Sequence, residues 1–164
     1  MNLVELKKEF LEKLIETQKK KIKTYRGQVE KEDYKSYKCA NEAIDNTFKS
    51  ESIVLESGLL KRASEIEDGL IELISIESNY RDVTNPSQQS EIGSLIEVVS
   101  IEENDEEVTE LYFLYKESLD DIEIRGTLIK TISINSPIGM ELIHKEIDDD
   151  LSCCNREIEI INIA

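Results

Sequence analysis

The chain has no tryptophan, two prolines, a single histidine, and aromatic side chains at only 5% of its 164 residues. So little ring surface argues against a deep aromatic ligand pocket. One histidine excludes a His-rich metal site and leaves a His-based catalytic triad only His144, which is poorly placed for it. The three cysteines, Cys39, Cys153 and Cys154, show neither CxxC pairing nor metal-ligand spacing. Neighbours on a strand point to opposite faces, so Cys153 and Cys154 are poor disulfide partners, and reduced thiols in a cytoplasmic protein fit best. No run of about 18 apolar residues exists to span a membrane. The opening MNLVELKKEF is charged and amphipathic rather than a continuous apolar signal core.

What the chain has in abundance is charge, at 34% of residues with a net −16. It is unevenly spread: residues 1–40 carry 11 Lys/Arg against 7 Asp/Glu, whereas residues 91–164 carry 5 against 19. An acidic second half would be repelled by the phosphates of duplex DNA. The basic run Lys19–Arg26 reads first as the solvated face of a helix.

Two arms of helical periodicity occupy the first half, Met1 to about Tyr37 and about Ile44 to Ser78. Val4, Lys8, Leu11, Ile15, Gln18, Ile22, Tyr25 and Val29 alternate spacings of four and three, an a/d seam with polar exceptions. Phe48, Ser52, Leu55, Leu59, Ala63, Ile66, Leu70 and Leu73 form a matching stripe with one stutter near Leu59. Folded back antiparallel, the arms would set Val4 on Leu73, Leu11 on Ile66, Ile22 on Leu55 and Val29 on Phe48, with the reversal near Lys38–Cys39. The first arm would be about 50 Å long. Leu3, Phe10 and Leu14 widen its apolar stripe only near the start, so the base of the hairpin is expected to pack on the second half. The seam spacing is also compatible with a dimeric coiled coil, but the matching arm lengths favour an intramolecular hairpin in a monomer.

From Asn79 to Ser90 the text turns polar and aperiodic around Pro86, a linker signal. Beyond it, Ile92–Ile101, Val108–Tyr115, Thr127–Ile134, Asp150–Cys153 and Arg156–Ile163 read as strands. Glu102–Glu107 and Glu117–Asp121 are too charged to be buried and read as turns, and Cys154–Asn155 as a tight hairpin turn. Tyr112, Phe113 and Tyr115 are expected in the sheet core. Ser136 is a good N-cap and Pro137 suits the first helical position, so a short helix should run from Pro137 to about Lys145. The class is α+β: a coiled-coil hairpin over 1–78, a linker over 79–90, and a small antiparallel β domain with a short helix over 91–164.

The stretch ISINSPIGMELIHKEIDDD, set after a long helical hairpin, resembles the Gre family of bacterial transcription elongation factors. Asn135, Ser136, Pro137, Ile138 and Gly139 match the family's Ser-Pro motif, as do Leu142, Ile143, Lys145 and Asp149 after it. His144 departs, standing where the family usually has glycine. The specific motif spans about 16 residues, although the architecture covers nearly the whole chain.

The resemblance implies an FKBP-like second domain that docks on RNA polymerase at the rim of its secondary channel, with Ser136, Pro137 and Ile138 as the contact residues. It implies that the coiled coil enters the channel, where acids at the tip help hold a second Mg²⁺ of the polymerase active site, and the polymerase then cleaves the 3′ end of backtracked RNA. The family tip reads roughly Asp-x-x-Glu-Asn, and here Glu42, Asp45 and Asn46 keep that spacing with the acids exchanged in type, while Ile44 replaces a polar residue. Glu42 and Asp45 are therefore the expected catalytic and metal-holding acids. Without the resemblance they read as the solvated first turn of the second arm, favoured there by the helix dipole.

On this reading the protein is an accessory factor and not itself an enzyme. It binds RNA polymerase, shares Mg²⁺ with it, and carries Lys19–Arg26 past nascent RNA. A non-cleaving regulator of the same channel is the alternative. A prolyl isomerase or chaperone follows from the FKBP-like fold alone, which does not carry activity.

Overall fold

The structure, a computed structural model, describes every residue except Met1, 42–45, 81–88, 102–106 and 154–155; of 32–41, 46–52 and 101 it describes the backbone alone. The chain forms a helical hairpin of α1 (Leu3–Asn41) and α2 (Asn46–Tyr80), followed by a six-stranded mixed sheet and one short helix. The α+β class read from the sequence is the observed one. It divides into two compact units, one of residues 1–14 with 76–164 and one of residues 15–75.

In the second unit the seam residues Ile15, Gln18, Ile22 and Val29 of α1 are buried, as are Ala63 and Leu73 of α2, with Leu59, Ile66 and Leu70 half-buried beside them. The stripes were legible; the register between them was not. Helix α1 continues through Asn41 and α2 starts at Asn46, so the expected reversal at Lys38–Cys39 lies inside a helix. That reversal would set Glu51 opposite Arg26, yet Arg26 pairs with Glu67. Leu55, expected against buried Ile22, is 51% exposed. A heptad seam looks the same after a slide of one repeat, so spacing alone cannot choose the register.

The sheet has the order β3-β4-β2-β1-β6-β5. Its strands are β1 (Leu95–Ile101), β2 (Glu107–Tyr115), β3 (Ile122–Ile124), β4 (Thr127–Ser133), β5 (Asp150–Cys153) and β6 (Arg156–Ile163). Central β1 pairs antiparallel with both β2 and β6. The expectation of an antiparallel domain needs one correction, because β2 and β4 run parallel. The cause is β3, which the sequence reading passed over. It makes a tight hairpin with β4 through Arg125 and Gly126, both at positive φ, so β4 re-enters the sheet in the direction of β2.

One face of the sheet takes the base of α1. Phe10 tilts against Phe113 at 4.9 Å between ring centres, and Leu3, Leu6, Leu11 and Leu14 are buried with it, as the widened stripe predicted. Lys13 Nζ donates to the Glu123 carbonyl at 2.9 Å, and Glu9 pairs with Arg125, tying the helix base to the β3–β4 hairpin. The opposite face buries Ile96, Val98, Tyr112, Leu114, Leu151, Ile158 and Ile160 with Leu142 of α3 (Pro137–Leu142). Tyr112, Phe113 and Tyr115 are all core residues, as expected.

Candidate functional site

The residues singled out around Ser136 form one rigid turn at the end of β4. The main chain leaves the strand at Ile134, whose N–H donates to the Tyr115 carbonyl at 2.8 Å. Ser133 anchors the turn from below: its hydroxyl donates to the Lys116 carbonyl at 3.0 Å and accepts from the Asn135 N–H at 3.2 Å. Ser136 closes it. Its hydroxyl donates to the Ser133 carbonyl at 2.6 Å and accepts from the Gly139 N–H at 3.1 Å, the N-cap geometry the sequence called for. Pro137 opens α3, where no N–H is needed. Gly139 packs so closely that a Cβ would lie 2.0 Å from the Ser133 carbonyl oxygen, so a larger residue there would force the main chain to move.

The three expected contact residues therefore divide. Ser136 spends its hydroxyl on the turn. Ile138 is half-buried and packs on the sheet. Pro137 is exposed, and Met140, 59% exposed, offers a further apolar side chain from α3. The turn presents a small preformed knob whose shape is held from within.

Its far end depends on a residue the sequence reading assigned to the linker. Ser90 is fully buried and staples the C-terminus of α3. Its N–H donates to the Lys145 carbonyl at 2.8 Å, its carbonyl accepts from the His144 N–H at 2.9 Å, and its hydroxyl accepts from the Lys145 N–H at 2.9 Å while donating to the Leu142 carbonyl. These bonds satisfy groups that a helix end leaves orphaned. They also end the helix at Leu142, short of the expected Lys145, because Ile143 is already extended and His144 takes a positive φ of 63°. The departure at His144 thus falls where the backbone itself favours glycine. A serine at the end of a polar stretch gives no sequence signal for such a role.

Beside α3 on the same sheet face, Glu110 gathers Lys130, Arg156 and the hydroxyl of Tyr112, which donates at 2.6 Å. Burial alone would raise the Glu110 carboxyl, but the bonds from Lys130 and Tyr112 and the nearby Arg156 charge outweigh it and hold the group below its ordinary range. Tyr112 is pushed up, first by burial and then by the carboxylate it serves. The cluster is internally satisfied and braces the sheet rather than offering a reactive group.

Glu42 and Asp45, the expected catalytic and metal-holding acids, lie outside the described residues, as does the Cys154–Asn155 turn. Among the described residues no three His, Cys, Asp or Glu side chains come together as a metal site, and no helix is long and apolar enough to cross a membrane.

No family model matches this chain, and neither does any curated protein. Among solved structures it is similar to one described as "Structure of the transcription factor Gfh1", at 16% identity over 92% of each chain and with a TM-score of 0.35. A likeness this distant leaves activity to be argued from the residues.

Proposed function

We propose that this chain is a Gre-type transcription elongation factor, an accessory protein that binds RNA polymerase at its secondary channel and stimulates cleavage of the 3′ end of backtracked RNA. The observation that carries the reading is the Ser-Pro turn. Asn135–Gly139 matches the family motif residue for residue, and its serine, proline and glycine each have a stated task in a preformed knob with Pro137 exposed. The helical hairpin that precedes the sheet is the second support.

In this reading the knob docks by shape, with Pro137 and half-buried Ile138 at the contact and Ser136 holding their geometry. Glu42 and Asp45 complete the oxygen shell of a Mg²⁺ whose other ligands belong to the polymerase. Such an ion activates water and offsets charge on the scissile phosphate. The protein would act in the cytoplasm.

The test is a cleavage assay on a defined backtracked complex. The expected result is release of short 3′ RNA fragments, lost when Glu42→Ala and Asp45→Ala are combined and retained when Glu12→Ala, a solvated acid near the start of α1, is made instead. Tight polymerase binding without cleavage would transfer the conclusion to a non-cleaving regulator of the channel. Failure to bind polymerase at all would overturn both.

A further inference from the structure

Helix α2 carries a second seam whose apolar members its packing in the hairpin leaves exposed. Ser57, Leu60, Ser64, Glu67, Ile71 and Ile74 follow one another at alternating steps of three and four, the spacing by which one helix pairs with another. The seam lies roughly a quarter-turn around α2 from the inward stripe of Leu59, Ala63, Ile66, Leu70 and Leu73. Its apolar members face outward: Leu60 is 46% exposed, Ile71 69% and Ile74 41%. Ile53, one step earlier, is exposed as well. A solvated face has no need of a row of isoleucine and leucine at this interval.

The seam is complementary to itself when turned end for end. Reflection about the midpoint of Glu65 and Ile66 places Ser57 on Ile74, Leu60 on Ile71, and Ser64 on Glu67. Small thus meets large and large meets large, while Ser64 meets Glu67, whose carboxylate already pairs with Arg26 of α1. On the outer flank Lys61 and Asp68 are one heptad apart, and the same reflection brings Lys61 of one copy beside Asp68 of the other, twice by symmetry. A parallel arrangement would set Glu67 against Glu67 and lose that match. Among the described residues Lys61 pairs with an exposed neighbour on its own helix, Glu65, at 3.8 Å, a contact worth little.

We infer that α2 pairs antiparallel with α2 of a second copy of this chain through the Ser57–Ile74 seam. The monomer expected from the sequence is then the dilute form. The pairing rests on the helix face alone and stands independently of the polymerase reading.

Sedimentation equilibrium of the full chain tests it. The expected mass rises from one chain at low micromolar concentration to two chains at several hundred micromolar. Ile71→Asp, at an exposed position, should keep the helical circular dichroism and hold the mass at one chain. Asp68→Lys should weaken the dimer about tenfold by setting lysine beside lysine, and Lys61→Asp added to it should restore the affinity. A single-chain mass across the whole range overturns the inference, and so does a dimer indifferent to Ile71→Asp. A dimer that Asp68→Lys weakens but the double exchange does not restore overturns the antiparallel register.

Discussion

Lys7 shows how far one side chain can depart from its type. It sits on α1 at the spacing of Leu3, Phe10 and Leu14, and that geometry buries it with them despite its charge. Its ammonium donates to the Ala164 carbonyl at 2.8 Å and lies 3.9 Å from the centre of the Tyr80 ring, a cation–π contact. Burial lowers it to about 8 from the ordinary 10.5, with Glu91 partly opposing. Between those values the unfolded chain holds a proton that the folded chain does not, so stability rises with pH across that window, and the cost of burial is full below it. Tyr80, raised by its own burial, works in the opposite direction once tyrosine ionises near pH 10. Urea denaturation from pH 8 towards 10 should therefore show the wild-type chain gaining stability by at most about 1.4 kcal/mol per pH unit, and Lys7→Met losing that slope. The sequence marked Lys8 and Gln18 as the seam's polar exceptions; Gln18 is buried, but Lys8 is exposed and Lys7 lies inside in its place.

At the scale of elements, local signals placed nearly every helix and strand, and their ends were set by partners elsewhere in the chain. α3 begins where Ser136 and Pro137 say it should and stops where Ser90, far away in sequence, takes over its last carbonyls. Ser90→Ala leaves the main-chain bonds in place but strands the Lys145 N–H and the Leu142 carbonyl in the interior. The expected loss is about 2 kcal/mol by chemical denaturation, with amide exchange accelerated first around Ile143–Glu146. β3 was missed for the opposite reason. Three residues of alternating burial, Ile122, Glu123 and Ile124, are too short to register as a strand until Arg125 and Gly126 fold them onto β4. The open seam on α2 belongs here too, since the same periodic text contains both the stripe that builds the hairpin and the one assigned to a second copy.

For the molecule as a whole, the dominant fact is charge. With 19 acids against 5 bases in residues 91–164, the sheet-bearing half repels itself, and the brace of Lys130 and Arg156 on Glu110 offsets this locally. Raising ionic strength from about 0.01 M to about 0.15 M shortens the screening length from roughly 30 Å to 8 Å, so the melting temperature should rise with salt. A Tm unchanged by added salt would show that the acids are already neutralised within the fold.

Composition and periodicity by themselves determined the α+β class, the inward stripes of both long helices, the core aromatics of β2 and the Ser-Pro turn with its N-cap. Each of these is written in residues close together in sequence, where helical or strand geometry converts spacing directly into a face or a cap. Only the tertiary structure decided the register of the two arms, the parallel seam between β2 and β4, the burial of Lys7 and the staple made by Ser90. Each of those joins residues distant in the chain, and a periodic or polar stretch is compatible with several such partners until packing selects one.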